Sequence, residues 1–158
     1  MKRIIIGERT VIIKPVDLHD QQVSELVSKL DKYQIELYGI EHCNLDSLDV
    51  LRKDHAFMLG AYSGDILIGI GAVKLFDHYA EVKRMFLKEK YHGSGIASSI
   101  LTGLEQYAKQ QKRKQMNLET GHLQQAAICF YQKAGYSVIE KFGAYERNPV
   151  SIYLSKKI

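Results

Sequence analysis

A glycine-containing loop offers the most specific chemistry in this sequence. Residues 81–97 read as a strand, then a short loop with Gly93 and Gly95, then the start of an amphipathic helix. This order leaves backbone N–H groups free at the positive end of a helix dipole, and glycine lets that backbone approach a phosphate closely. The loop lacks the Gly-Lys-Ser/Thr ending of nucleoside triphosphate sites and the three-glycine dinucleotide fingerprint. It therefore predicts a pyrophosphate held mostly by backbone, with coenzyme A as the leading candidate.

Short motifs then give a family resemblance. His92–Ala97 (HGSGIA) resembles the acetyl-CoA motif of the GNAT superfamily of N-acetyltransferases, Gln/Arg-x-x-Gly-x-Gly/Ala, with His92 instead of Gln or Arg at the first position. Ala127–Tyr136 resembles the family signature Ala-x-x-Phe-Tyr-x-x-x-Gly-Phe/Tyr. Leu118–Gly121 and the late segment Tyr145–Ser151 are similar to a bacterial subgroup, the YsnE-like acetyltransferases. The resemblance is strongest from residue 81 to residue 136.

The resemblance implies an enzyme that transfers the acetyl group of acetyl-CoA to a primary amine of a small molecule or peptide, by direct attack in a ternary complex. This chemistry needs an amine that loses a proton, a polarised thioester carbonyl, a stabilised thiolate and two substrates held together. A non-catalytic acyl-CoA binding or sensing module on the same scaffold is the alternative, because it would keep the glycine loop. Only the enzyme needs acid–base groups, so those residues separate the two interpretations.

Three residues are predicted to be catalytic. Glu81 stands at the spacing where many family members carry a catalytic glutamate, and it would act as the base directly or through a water. Its alternatives are a solvated carboxylate at a strand end or a partner of Lys83 or Arg84. Glu119, at the end of the next strand, is the competing base or an acceptor-binding group. Tyr131 is the predicted general acid, because a tyrosine that titrates near ~10 is protonated at neutral pH; its alternative is a packing residue.

The resemblance also implies which residues bind the cofactor. The main chain of residues 85–87, in the strand before the glycine loop, would form hydrogen bonds to the pantetheine arm. The glycine loop itself would bind the pyrophosphate. Gln124 stands where many relatives have an asparagine that contacts the cofactor, and Lys133 would lie near the adenosine unless it is simply an exposed helix lysine. The predicted cofactor-binding residues are Met85, Phe86, Leu87, His92, Gly93, Ser94, Gly95, Ile96, Ala97, Gln124 and Lys133. For His92, the alternative is that only its backbone N–H matters.

The sequence leaves two classes of acceptor amine possible. The segment 36–49 carries Glu36, Glu41, Asp46 and Asp49 with little positive charge, which would favour a cationic amine such as a polyamine or a lysine side chain. Alternatively, arginines at positions 84 and 147 would bind the carboxylate of an amino-acid-like acceptor. A run of acids is also typical of ordinary solvated surface.

Composition and residue spacing limit the number of domains and argue against several other kinds of protein. The 158 residues fit one domain, 1–158, and the net charge of +4 is too mild and dispersed to indicate nucleic acid. No apolar run approaches the ~20 residues of a membrane span. Cys43 and Cys129 match no metal or disulfide spacing, and the histidines are scattered, so we expect free thiols in a reducing cytoplasm and no metal. Apolar late strands would permit a homodimer.

The elements that must position these residues follow from periodicity and turn signals. Met1–Ile6 reads as a strand, and a helix with apolar positions from Val23 to Leu30 follows Asp17 as its N-cap. The further predicted elements are strands Thr10–Lys14, Phe57–Tyr62, Ile66–Leu75, Glu81–Leu87, Met116–Thr120, Tyr136–Lys141 and Ser151–Leu154, and helices from Ile96 and over Gln124–Ala134. We expect an α+β fold in three layers, a mixed, mostly antiparallel sheet flanked by helices. The resemblance adds a splay between the strands Glu81–Leu87 and Met116–Thr120.

Overall fold

The structure, a computed structural model, describes all residues 1–158 and contains one eight-stranded sheet. The strands are β1 (Lys2–Ile6), β2 (Arg9–Pro15), β3 (Phe57–Ser63), β4 (Ile66–Leu75), β5 (Ala80–Leu87), β6 (Gln115–Gly121), β7 (Ser137–Ile139) and β8 (Ser151–Lys157). Their order across the sheet is β1-β2-β3-β4-β5-β6-β8-β7. Every neighbouring pair is antiparallel except β5 and β6, which are parallel. The predicted mixed, mostly antiparallel sheet is confirmed.

Helices cover both faces of this sheet. They are α1 (Gln21–Tyr38), α2 (Leu48–Lys53), α3 (Ile96–Gln110) and α4 (Gln125–Lys133). One core, on the α1 and α2 side, contains Val23, Leu26 and Val27 of α1. Leu30, the fourth predicted apolar position, is buried but lies outside this core. The larger core, on the other side, joins the sheet to α3 and to Tyr131 of α4. Apolar burial on two faces fixes the three-layer arrangement, because each helix presents one apolar stripe.

Several predicted boundaries were wrong. The N-cap of α1 is Asp20, whose carboxylate accepts from the Gln22 N–H at 2.8 Å, while Asp17 accepts from the His19 N–H in the preceding turn. Both aspartates are good caps, and only the turn decides between them. β7 is also shorter than predicted and β8 runs three residues further, to Lys157. The chain leaves β7 at the exposed, charged Glu140 for a long connection to β8.

β5 and β6 pair only at their beginnings. Ala80 lies opposite Met116 and Glu81 opposite Asn117, after which no further pairs form. β5 continues along β4, and β6 continues along β8 as far as Gly121. The predicted splay is confirmed, and it opens a gap in the middle of the sheet.

A bulge in β5 lies beside this gap. Ile70 of β4 lies opposite Phe86, but Ala72 lies opposite Lys83, so β5 contains one extra residue. Arg84 within the bulge has a φ of +56°, which is unusual for a residue other than glycine. The extra residue breaks the alternation of side chains, so Lys83 and Arg84 both lie on the α1 face.

Gly71 shows how closely β4 approaches its neighbours at this point. A Cβ built there would contact the Met85 sulfur and would lie 2.7 Å from Cγ2 of Ile100. Neighbouring side chains therefore fill the space that a side chain at position 71 would need. We expect Gly71→Ala to destabilise the fold by about 1–3 kcal/mol, the usual cost of overpacking. Urea unfolding measures this, and a wild-type midpoint with an unchanged m-value would contradict it.

Candidate active site

The gap between β5 and β6 forms a small cavity that passes through the sheet. We call this cavity the notch; its volume is about 90 Å³. It is lined on one side by Leu30 and Gln34 of α1 and on the other by Ala127 and Tyr131 of α4. Its remaining lining residues are Asn44, Asp46, Val82, Lys83, Arg84, Met85, Leu118, Glu119, Thr120 and Gln124. An extended ligand could therefore enter from the α3–α4 side and present its end to the α1 side.

A larger cavity of about 690 Å³ shares residues with the notch and is called the outer pocket. The shared residues are Asn44, Asp46 and Lys83. The other lining residues are Glu41, His42, Leu45, Lys74, Phe76, Tyr79, Glu81, Ala144, Tyr145, Glu146, Arg147, Asn148 and Pro149. One wall comes from the segment after α1 and one from the β7–β8 connection, and Asn148 Nδ2 ties them by donating to the His42 carbonyl at 2.9 Å.

The glycine loop has the geometry of an anion site. Gly93 and Gly95 have φ values of +76° and +82°, in the left-handed region that glycine adopts without strain. The N–H groups of Gly93, Gly95, Ala97 and Ser98 donate to no carbonyl in the chain. No side chain caps α3 well, since the Ser94 hydroxyl lies 3.4 Å from the next N–H. These free donors fit a phosphate.

The backbone of β5 points free groups at the notch. The Lys88 N–H donates to the Ile68 carbonyl of β4 at 2.9 Å. Because successive residues of a strand direct their backbone groups to opposite sides, the N–H of Leu87 points away from β4. The Leu87 carbonyl accepts from Nε2 of His92 at 2.8 Å, so this ring lies on the backbone next to the notch. The N–H of Met85, two residues earlier and next to the bulge, points to the same side.

Glu81 is almost completely buried, and one oxygen of its carboxylate, Oε1, has two partners. The Tyr145 hydroxyl donates to it, and the Lys83 ammonium lies 3.2 Å from the same oxygen. Lys83 also donates to the Tyr145 oxygen at 3.0 Å and lies 3.6 Å from Asp46. Burial raises the pKa of the Tyr145 hydroxyl well above its ordinary value, so it stays a donor. This pairing matches the non-catalytic alternative that the sequence left open for Glu81.

Glu119 has a different environment. The Ser151 hydroxyl donates to its carboxylate at 2.8 Å. Glu119 forms no ion pair. Burial raises the pKa of its carboxyl above the ordinary value, and the positive charge of Lys83 offsets part of that shift. A partly buried carboxylate with a raised pKa is suited to accept a proton.

Tyr131 faces the notch from α4. It is 7% exposed, and burial raises the pKa of its hydroxyl well above the ordinary value. Its ring packs edge-on against Phe130 and Tyr136, with centroids 5.1 and 5.7 Å away. No hydrogen bond joins its hydroxyl to another group of the chain, so a donor remains free at the notch.

The other two predicted cofactor residues are placed differently. Gln124 lines the notch, and its side-chain oxygen lies 3.3 Å from the Gly121 N–H and 3.4 Å from the Tyr38 hydroxyl. Lys133 is exposed in the last turn of α4 and forms no ion pair. Gln124 therefore also shapes the turn before α4.

The acidic segment contributes only partly to the outer pocket. Glu41 and Asp46 line it, whereas Glu36 pairs with Lys32 of its own helix at 3.9 Å. Asp49 pairs within α2 instead, with the arginine three residues later. The four acidic residues of segment 36–49 therefore lie in different environments, and only two of them line the outer pocket.

Sequence reasoning missed Lys83 and Tyr145 as site residues. Tyr145 is separated from Glu81 by 64 positions and lies in a connection without regular structure. Its only signal was the resemblance of the late segment Tyr145–Ser151 to the YsnE-like subgroup. No spacing rule joins residues across such a distance.

With the geometry established, comparison with known proteins identifies the family. The family model described as acetyltransferase (GNAT) family matches residues 18–136, and the chain belongs to this family. Acetyl-CoA is the family's co-substrate, and the free N–H groups of the loop fit its phosphates. The structure has no group of three or more His, Cys, Asp or Glu side chains that could hold a metal. None of its helices combines the length and apolar character that crossing a membrane requires.

Two relatives extend this finding. The chain is 33% identical to the IAA acetyltransferase of Azospirillum brasilense, over 86% of this chain and 90% of that protein. It is 28% identical to YsnE of Bacillus subtilis, described as an uncharacterised N-acetyltransferase, over 92% of this chain and 99% of that protein. The resemblance to the YsnE-like proteins is confirmed.

Solved structures share the fold. A Klebsiella pneumoniae protein described as an acyl-CoA N-acyltransferase aligns with a TM-score of 0.80 and 26% identity, over 93% of this chain and 97% of that one. The PaiA N-acetyltransferase of Thermoplasma acidophilum, solved with coenzyme A, aligns with a TM-score of 0.75 and 21% identity, over 94% and 99%. At 21% identity, the similarity to the PaiA protein shows a shared fold.

The loop geometry makes a prediction for Gly95→Val. Valine is strained at a φ of +82°, and its branched side chain would crowd a phosphate. We expect affinity for acetyl-CoA to fall by at least about tenfold, a loss of roughly 1.4 kcal/mol. Calorimetric titration of the folded variant measures this. Gly64→Val, at a φ of +61° in the β3–β4 turn, is the matched control and should bind normally. Unchanged affinity of Gly95→Val would contradict the phosphate site.

Proposed function

We propose that the protein transfers the acetyl group of acetyl-CoA to a primary amine of a small molecule or peptide, by direct attack in a ternary complex. The observation that carries this proposal is the notch, which brings Glu119 and Tyr131 to a single opening through the sheet. The glycine loop lies at the N-terminus of α3, and the outer pocket adjoins the notch on the α1 side. A ligand bound by the loop and an acceptor in the outer pocket would meet at these two side chains.

In this proposal Glu119 is the base. It forms no ion pair, its pKa is raised by burial, and it lines the notch itself. The attacking nitrogen forms a bond to the thioester carbon, its proton passes to the Glu119 carboxylate, and the carbon–sulfur bond breaks. The Tyr131 hydroxyl donates a hydrogen bond to the departing thiolate, which takes a proton from solvent as the product leaves and becomes the thiol of coenzyme A. Glu119 then releases the proton that it took from the amine to solvent, which returns the carboxylate to its ionised form.

Glu81 has a positioning role in this proposal. Its carboxylate holds Lys83 and Tyr145 in place, and Lys83 in turn lies between the notch and the outer pocket. Both partners hold the same oxygen of Glu81, and the Lys83 ammonium beside it would repel the ammonium group of an acceptor that approached this carboxylate. Glu81 as base, directly or through a water, is therefore the competing assignment.

Backbone groups complete the site. The free N–H groups that β5 directs at the notch, around Met85 and Leu87, would bond the pantetheine arm and polarise the thioester carbonyl. Phe86 packs on the α1 side with the smaller core, so its side chain supports the strand while its backbone remains available. The bulge supports this assignment because it turns β5 away from regular pairing.

A non-catalytic acyl-CoA binding or sensing module remains the second candidate function. Both candidates predict binding of acetyl-CoA, which calorimetry measures. Only the enzyme releases free thiol from acetyl-CoA in the presence of an amine, and we expect release with a panel of amino acids, polyamines, aminoglycosides and peptides. Tight acetyl-CoA binding without thiol release above the hydrolytic background for any amine would favour the binding module.

Tyr131→Phe tests the acid. Only one hydroxyl is lost, and that hydroxyl has no hydrogen-bond partner in the chain, so stability and acetyl-CoA binding should not change. We expect turnover to fall roughly 10²-fold, the usual scale of one acid–base group. Stopped-flow thiol release measures it, with Tyr107→Phe in α3, half-buried against Phe57 and away from the notch, as the control. Wild-type turnover in Tyr131→Phe would reduce Tyr131 to a packing residue.

Glu119→Gln and Glu81→Gln separate the two possible bases. A base works only when ionised, so activity should be lost as the pH falls through the pKa of Glu119, which burial raises above the ordinary ~4.3. We expect Glu119→Gln to lower kcat most near neutrality, with partial recovery at high pH where the free amine already exists. Glu81→Gln should mainly raise the acceptor KM and keep the acidic limb. An acidic limb that disappears only in Glu81→Gln would reverse the assignment.

A further inference from the structure

Arg84 is a buried arginine with one unused donor group. It is 8% exposed, its Nε donates to the Asp46 carbonyl at 2.8 Å, and its Nη1 pairs with the Asp31 carboxylate of α1. Its Nη2 is buried and has no partner in the chain. A buried charged donor without a partner costs free energy, so such an atom points to a ligand or an ordered water.

The position of this donor narrows the choice of ligand. Arg84 lies in the bulge of β5 and lines the notch, as do Glu119 and Tyr131. The notch holds only about 90 Å³, so a group that reaches Arg84 lies close to the reacting nitrogen. A negative group at the far end of a long acceptor would remain in the outer pocket.

We propose that the acceptor is an α-amino acid, or a molecule that ends in one, and that Arg84 Nη2 binds its carboxylate. The inference rests on the acetyltransferase function proposed above. The ammonium group of the acceptor faces Glu119, which has no cationic partner, and the carboxylate faces the unused donor of Arg84. A zwitterionic amino acid carries no net charge, so its binding adds no net charge beside the Arg84–Asp31 ion pair. An amine without a carboxylate would leave Nη2 unpaired.

The outer pocket then takes the side chain of the acceptor. Phe76 and Tyr79 stack with centroids 4.7 Å apart, and Tyr145 forms a further aromatic surface of the same cavity. Offset and edge-on ring contacts favour an aromatic side chain here. L-phenylalanine is therefore the first probe, and phenethylamine, which has the same ring and amine but no carboxylate, is its matched partner.

The first experiment uses the wild-type protein and needs no variant. Thiol release from acetyl-CoA is measured with L-phenylalanine, with L-phenylalaninamide and with phenethylamine. We expect kcat/KM for L-phenylalanine to exceed that for the other two by at least about tenfold, because a site built to hydrogen-bond a group rejects analogues that lack it. Equal values, or a preference for phenethylamine, would overturn the inference and leave the acetyltransferase function in place. Bound acetyl-CoA without transfer to any amine would overturn both.

The second experiment tests Arg84 itself. Arg84→Gln is made together with Asp31→Asn, so that the partly exposed Asp31 carboxylate is not left without its partner, and thermal unfolding confirms that the protein is folded. We expect KM for L-phenylalanine to rise by about tenfold or more and KM for phenethylamine to stay nearly constant. A purely structural role would move both values alike, and that outcome would overturn the inference.

Arg52→Gln is the matched control for this experiment. Arg52 also pairs with an aspartate, Asp49, and also has a buried nitrogen without a partner, its Nε, but it lies in α2 away from both cavities. We expect its substitution to leave the ratio of the two KM values unchanged. A change in that ratio equal to the change in the Arg84 variant would contradict a specific contact.

Discussion

The divergence of β5 from β6 is the constraint on which the site depends. Two parallel strands that paired along their whole length would close the sheet and satisfy each other's backbone groups. Here the pairing ends after Glu81 and Asn117, so the later N–H groups of β5 lack a strand partner on that side. Unpaired backbone donors are costly unless water or a ligand binds them. The same separation that makes the cavity therefore creates its need for a ligand with amide and carbonyl groups.

The bulge links this opening to the charges around it. Holding Arg84 at a positive φ costs on the order of 1–3 kcal/mol, which the surrounding structure must offset. Its ion pair with Asp31 and its bond to the Asp46 carbonyl connect the strained residue to α1 and to the segment that follows it. Because the bulge also places Lys83 on the same face, one irregularity of the backbone organises both the notch and the outer pocket.

Local signals account for the parts of the fold that could be predicted. The glycine loop, the helix after it and the β3–β4 hairpin each depend on residues within about ten positions, and the sequence patterns for them are strong. The caps of α1 show the limit, since Asp17 and Asp20 are equally good local choices. The bulge at Arg84 could not be read from the sequence, because arginine gives no signal for a positive φ. Lys83 and Tyr145 meet only through tertiary packing, so no spacing rule predicts their contact.

Exclusion of water acts on the two proposed proton-transfer groups in different ways. Burial raises the pKa of Glu119, which makes its carboxylate a stronger base. Burial raises the pKa of Tyr131 as well, which keeps its hydroxyl protonated but makes it a weaker acid. A free thiol titrates near ~8.5, well below such a tyrosine, so complete proton transfer from Tyr131 to the thiolate is unfavourable before solvent re-enters. A short hydrogen bond from the Tyr131 hydroxyl would still stabilise the developing charge, because no other group in the chain competes for it. Tyr131 is thus better suited to bind the leaving sulfur than to lose its proton, and thiol formation would be completed as the product departs.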